Sequence, residues 1–240
     1  MRWIEQWLEK LRKSSNQNSC TCDACGKEVF SYPEERLCKQ CAEKIIRNSG
    51  FQCEKCGRAC RGAGICNTCK VAVPQFEKAA SALVYFDWSA MLVNSFKNGK
   101  RYLSYFFADE LAAVLSRLPK KEYVLVAVPL SKQKLRARGY NQSAELVHRL
   151  SELTGLEARV DLLEKRGADE QKQLSAKERR KNVKGAFRVT DKSFCKGKDL
   201  LIIDDVMTSG ATMSEIASVL LRAGAQSVCA ASVSAVPDRD

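Results

Sequence analysis

The sequence lacks long apolar runs and has almost no histidine. Its longest apolar stretch, Val124 to Leu130, falls far short of the roughly 20 residues of a membrane-spanning helix, so no transmembrane segment is expected. Glu5, Glu9, Lys10, Arg12 and Lys13 interrupt the amino terminus in a way that a secretory signal does not tolerate. A cytoplasmic location is therefore the expectation. His148 is the one histidine in 240 residues, and it sits in a stretch of ordinary helical composition. It reads as a structural side chain, and no Ser-His-Asp constellation can be built without it. Acids are also in deficit, 28 against 40 bases, for a net charge of +12. That bias bears on partners and not on the fold. Apolar and charged fractions of 45% and 28% exclude wholesale disorder and low-complexity or collagen-like chains.

Cysteine, in contrast, is abundant: ten of the twelve cysteines lie between Cys20 and Cys69. Disulfides do not account for them in a reducing compartment. Cys22-x2-Cys25-x12-Cys38-x2-Cys41 is followed by Cys53-x2-Cys56-x9-Cys66-x2-Cys69, and each half opens on the same Cys-x-x-Cys-Gly knuckle. Gly26 and Gly57 suit the left-handed turn that aims backbone amides at thiolate sulfur. Two facing knuckles give four thiolates in a tetrahedron, which suits Zn²⁺, and with no coordination position left open the metal is structural. Two structural Zn²⁺ ions are expected. The ligand sets are sequential (Cys22, Cys25, Cys38, Cys41 and Cys53, Cys56, Cys66, Cys69) or interleaved across the repeat. Cys20 and Cys60 stand outside the pattern, and Cys20 replaces Cys22 if the first knuckle shifts.

This composition divides the chain into an amphipathic helix and linker over 1–19, a double zinc ribbon over 20–72, and an α/β domain over 76–240. In the first segment Trp3, Ile4, Trp7, Leu8 and Leu11 recur at helical spacing. In the last, strand-like and helix-like segments alternate: Ser81 to Phe86, Ala90 to Phe96, Asp109 to Arg117, Tyr123 to Val128, Gln142 to Leu153, Leu200 to Asp204, Thr212 to Ala223 and Ser227 to Val233. Alternation of this kind predicts a parallel sheet with helices on both faces. Positive charge concentrates in Lys132, Lys134, Arg136 and Arg138, and in Lys165 to Arg188, where only Phe187 is aromatic. Such runs meet phosphates or simply face solvent.

The stretch Leu200-Leu201-Ile202-Ile203-Asp204-Asp205-Val206-Met207-Thr208-Ser209-Gly210-Ala211-Thr212 reads as a buried strand, two acids, a polar loop and a helix start. Amides from Thr208, Ser209, Gly210, Ala211 and Thr212 at a helix amino end form a phosphate cradle, with three hydroxyls as further donors. Two carboxylates would repel that anion unless they bind sugar hydroxyls or a divalent cation. A ribose 5-phosphate meets both demands.

This strand and loop resemble the signature of the type I phosphoribosyltransferases. The resemblance implies that Asp204 and Asp205 meet the ribose 2- and 3-hydroxyls of phosphoribosyl pyrophosphate (PRPP), with Mg²⁺ accompanying the ligand, and that Thr208 to Thr212 hold the 5-phosphate. Thr208 stands where the hypoxanthine-type members carry an acid, so that proton-transfer group is missing. Val128-Pro129-Leu130, Arg138-Gly139-Tyr140-Asn141-Gln142, Gln171-x-x-Leu174-Ser175, Arg179-x-x-Asn182-Val183 and Gly185-Ala186-Phe187, together with the double zinc ribbon, resemble the ComF/ComFC family. That family is associated with natural competence and uptake of transforming single-stranded DNA. The resemblance implies a phosphoribosyltransferase whose acceptor stays open. It puts pyrophosphate or DNA near Lys132, Lys134, Arg136 and Arg138, and it makes 166–182 a lid over the substrate. The alternative is a non-catalytic adaptor that keeps the fold and binds single-stranded DNA or a competence helicase.

Overall fold

The computed structural model describes residues 21–29, 35–166 and 184–238. The amphipathic helix over 1–13, its linker, Cys20 and nearly all of the lid segment, with the motif residues Gln171 to Val183, lie outside the described residues. The chain divides into two compact units, one ending at Ile45 and one starting at Ile46.

The described part of the first unit holds the Cys22 and Cys25 knuckle and a short helix that carries Cys41. Cys22 N–H donates to Lys27 O at 2.7 Å and Gly26 N–H to Cys22 O at 2.8 Å, a tight turn that the left-handed Gly26 (φ 77°) permits. Helix α1 (Lys39–Ala42) starts from Cys38, and buried Val29, Leu37 and Ile45 complete a small core. The second unit opens on the same device: Gly57 (φ 67°) closes the turn, its N–H donating to Cys53 O at 2.8 Å. Helix α2 (Asn67–Val71) starts from Cys66 with the backbone angles found at Cys38.

After it come β1 (Ala79–Val84), α3 (Asp87–Lys97), α4 (Leu103–Val114), β2 (Tyr123–Ala127), α5 (Lys132–Arg138), α6 (Gln142–Thr154), β3 (Ala158–Arg159), β4 (Leu163–Lys165), β5 (Phe187–Val189), α7 (Lys192–Cys195), β6 (Asp199–Met207), α8 (Ala211–Arg222) and β7 (Ser227–Ala235). Five strands form one sheet in the order β1-β7-β6-β2-β3, parallel throughout, and β4 pairs with β5 antiparallel. The central strands are apolar along their length because both faces are covered. Val124 and Val126, Leu200 and Ile202, and Val228 and Ala230 share one core with Met213, Ile216, Ala217 and Leu220 of α8. Their alternates Leu125, Leu201 and Ile203 are equally buried on the other face, where α4 and α6 pack.

The expected α/β parallel sheet is thus present, and two details go beyond the expectation. The Lys132 to Arg138 run is a helix, started by Ser131, whose Oγ accepts from Lys134 N–H at 3.2 Å, and stopped by left-handed Gly139. Strand β6 also runs on through both acids to Met207, because β7 continues to pair with it as far as Met207↔Ala235. Strand β2 pairs with it only to Ala127↔Ile203, so Asp204 and Asp205 stand past the end of that neighbour.

Candidate functional site

The topology marks one edge of the sheet. From β2 the chain moves outward to β3, while from β6 it moves the other way to β7. Beyond the carboxyl ends of β2 and β6, connections therefore diverge and leave a crevice, the usual ligand position in open parallel sheets. Asp204 and Asp205 occupy it.

The two acids are held differently. Ser143 Oγ, on the first turn of α6, donates to Asp204 Oδ1 at 2.9 Å, and the Asp205 N–H donates to the same oxygen at 2.9 Å. Asp205, 7% exposed, pairs with Lys97 Nζ at 3.0 Å from the end of α3. Burial first, and the Asp205 charge second, push the Asp204 carboxyl up to about 7, against the pull of Lys97 and the two hydrogen bonds. Paired carboxylates of this kind accept from vicinal hydroxyls or ligate a hard cation.

The loop after β6 enters α8 through Gly210, whose left-handed φ of 75° is the reason for glycine there; a Cβ would meet no atom closer than 3.8 Å. No side chain caps α8 and no acid lies in its first turn, so the Thr212 and Met213 amides have no intrahelical acceptor. The N–H of Ala211 takes only Ser209 Oγ at 3.4 Å. Thr208 is exposed, with Ser209, Ala211 and Thr212 partly so. Free donors and a positive helix end favour an anion.

A cleft of about 1020 Å³ opens beside this edge, lined by Pro129 to Gln133, Leu135 to Ala137, Asn141 and Leu163 to Arg166. Lys132 and Arg136, one helical turn apart on α5, both reach it. Lys134 and Arg138 do not line it, and Arg138 Nη1 donates instead to Gln142 Oε1 at 2.8 Å. The acid pair and the loop after β6 do not line the cleft either. Asn141 links the two: Nδ2 donates to Val128 O at 3.0 Å, and Oδ1 caps α6 two residues before Ser143. Exposed His148 stands on α6 away from all of this.

Sequence reasoning missed Lys97, Ser143 and the Arg101 cluster. Arg101 pairs with Glu145 and lies 5.1 Å over the Tyr140 ring. One signal was available: Lys97-Asn98-Gly99-Lys100-Arg101 is a basic, acid-free turn between two helices.

Both cysteine sets assemble sequentially, Cys22, Cys25, Cys38, Cys41 in one unit and Cys53, Cys56, Cys66, Cys69 in the other, with the four sulfurs of each within 4.8 Å of one another. A tetrahedral ion with bonds of about 2.3 Å requires sulfur separations of about 3.8 Å. Cys25 to Cys38 is 3.8 Å and Cys56 to Cys66 is 3.7 Å, so both sets fit a structural metal. The Cys56 and Cys66 amides point at Cys53 Sγ, at 3.5 and 3.3 Å, as thiolate ligands require. Cys60 stays outside, its thiol on Arg58 O.

The phosphoribosyl transferase domain family matches residues 102–239, which span β2, both acids, the loop and β7. The DNA utilization protein YhgH of Salmonella typhimurium is 30% identical over 207 residues, 80% of this chain and 87% of that protein. Competence protein ComFC of Streptococcus pneumoniae is 30% identical over 215 residues, 89% and 86% of the two chains. ComFC of Bacillus subtilis is 28% identical over 200 residues, 80% of each. With the parallel sheet, the acid pair before the loop and the two four-cysteine sets in place, the chain belongs to the phosphoribosyl transferase domain family and, within it, groups with the ComFC competence proteins, sharing the same level of identity with YhgH.

Proposed function

We propose that this protein binds a phosphoribosyl ligand of the PRPP type and serves the uptake or utilisation of DNA, in the cytoplasm. One observation carries the ligand assignment: two carboxylates at the crevice between β2 and β6, followed directly by an uncapped, acid-free helix start. In this reading Asp204 and Asp205 accept from the ribose 2- and 3-hydroxyls, and the amides and hydroxyls from Thr208 to Thr212 hold the 5-phosphate. Lys97 neutralises Asp205 until the ligand arrives. Mg²⁺, when bound with the ligand, supplies charge neutralisation for the pyrophosphate. Lys132 and Arg136 bring positive charge to the cleft wall for the same group. The two four-cysteine sets hold two structural Zn²⁺ ions, which suits a reducing compartment. The DNA role rests on the kinship with ComFC and YhgH.

The adaptor reading, in which the fold is kept to hold single-stranded DNA or a helicase without catalysis, draws on the +12 charge and on Lys132, Arg136, Lys165 and Arg166 around one open cleft. Isothermal titration of PRPP with Mg²⁺ separates the two. Saturable binding that Asp204→Asn with Asp205→Asn weakens tenfold or more, at about 1.5 to 3 kcal/mol per charged hydrogen bond, supports the phosphoribosyl site. Equal affinity in the double variant overturns it.

A further inference from the structure

One side chain joins the second four-cysteine set to the phosphate loop. Arg58 follows the knuckle glycine and is 3% exposed. Its Nε donates to Cys56 Sγ at 3.2 Å, its Nη2 to the Thr208 carbonyl at 2.7 Å, and its Nη1 to Thr68 Oγ1 at 3.4 Å. A guanidinium this deep needs compensating charge. Four thiolates around a divalent ion leave roughly two negative charges at the site, which supply it.

The near end of this link is fixed. A Cβ on Gly57 would fall 2.4 Å from the Ala79 carbonyl, so only glycine allows the knuckle to lie against β1. Ala79 N–H donates to Lys55 O at 2.9 Å, and Asn48, 1% exposed, donates from Nδ2 to Gly57 O at 2.6 Å. The far end acts on the loop. In a trans peptide the carbonyl of one residue and the N–H of the next point in opposite directions. Holding the Thr208 carbonyl on Arg58 therefore fixes the peptide that carries the Ser209 N–H, which points the other way.

We propose that Arg58 is a positioning residue that ties the phosphate loop to the filled Cys53, Cys56, Cys66, Cys69 site, so that phosphate affinity depends on the integrity of that site. The ligand part of this inference rests on the phosphoribosyl reading above; the loop part does not.

The test compares wild type with Arg58→Met and Arg58→Lys in the full chain, with metal content measured first. Lysine keeps the charge but cannot fork to sulfur and carbonyl together. Without ligand, exchange of the Ser214 and Val236 amides, which donate to Gly210 O and Met207 O at the two ends of the loop, is expected to be about tenfold faster in both variants, the loss of one charge-assisted hydrogen bond, while β2 and the rest of β7 keep their protection. Affinity for ribose 5-phosphate is expected to fall by the same factor. In the wild type, ribose 5-phosphate is expected to raise the affinity for Co²⁺, followed by the cobalt–thiolate absorption against a competing chelator, because coupling between two sites is reciprocal, and this rise is expected to vanish in the variants. A purely structural arginine would not produce that signature. Unchanged loop exchange in a metal-replete variant overturns the proposal, and Arg58→Lys decides it if Arg58→Met does not fold. A wild type with no affinity for ribose 5-phosphate counts against the phosphoribosyl reading, while the exchange rates still judge Arg58.

Discussion

Replacing Asp204 by asparagine should make the folded chain more stable at pH 8 while weakening the binding of the proposed phosphoribosyl ligand. The Asp204 carboxyl titrates near 7 against an ordinary 3.8, so between those values the folded state holds a proton that the unfolded state has released. Stability from this group is complete below about pH 3.8, declines as pH rises, and is gone above about pH 7. The full shift of about 3 units corresponds to about 4 kcal/mol at 1.36 kcal/mol per unit, and roughly 2 to 3 kcal/mol of it falls between pH 5 and 8. Asparagine is neutral at every pH and keeps an Oδ1 for the Ser143 hydroxyl and the Asp205 amide. Urea unfolding from pH 5 to 8.5, with zinc present, is the assay. The difference between Asp204→Asn and wild type should grow in favour of the variant as pH rises and level off above pH 7. A variant less stable than wild type at pH 8, or a difference independent of pH, would refute the account of Asp204 as a carboxylate held at the expense of stability.

Metal analysis of purified protein should give two zinc ions per chain; one ion with the second cysteine set open to alkylation would contradict the ligand assignment. Cys25→Ser should lose one ion and leave the C-terminal unit folded, whereas Cys56→Ser should lower its melting temperature sharply, because Cys53, Cys56, Cys66 and Cys69 share the core of Phe76 and Val228; equal effects by circular dichroism would contradict that difference. Single-stranded DNA should bind with little sequence preference. Its log affinity should fall by about 0.7 per phosphate contact for each unit of log salt, and serine at Lys132 and Arg136 should flatten the slope; anisotropy unchanged by these substitutions would exclude contact through α5.

What could be read in advance follows the range of the interaction that carries it. Cys-x-x-Cys-Gly is local: spacing and a left-handed glycine define the knuckle, and both copies form as written. The acid pair and loop are local too, and only the strand's true end was hidden, since it depends on how far β7 accompanies β6. Lys97, Ser143 and Arg58 are polar side chains that act far along the chain. Ser143 reaches Asp204 across 61 residues and Arg58 reaches Thr208 across 150. No periodicity records such pairs, because each needs a single residue delivered by the assembled sheet. The Lys132 to Arg138 run shows a milder form of this: its charge was visible, but the helix that turns Lys132 and Arg136 toward the cleft separates them from Lys134 and Arg138.

The two knuckles show how one local motif acquires different roles. Gly26 and Gly57 have nearly the same φ, 77° and 67°, so the turn itself makes the same demand in both. Space around them differs: among the described residues a Cβ on Gly26 would meet nothing within 4 Å, whereas on Gly57 it would strike the backbone of β1. The next residue differs as well. Lys27 sends its ammonium to Gln40 Oε1 at 3.2 Å within its own small unit, while Arg58 turns inward to sulfur and to the Thr208 carbonyl in the loop after β6. Burial follows the same division, with all four cysteines of the second set buried and Cys25 of the first exposed. A metal knuckle stabilises whatever surrounds it, and the residue after its glycine decides whether that stability stays local or reaches a binding loop. In this chain the second copy extends to the loop, and the first spends its lysine within its own unit.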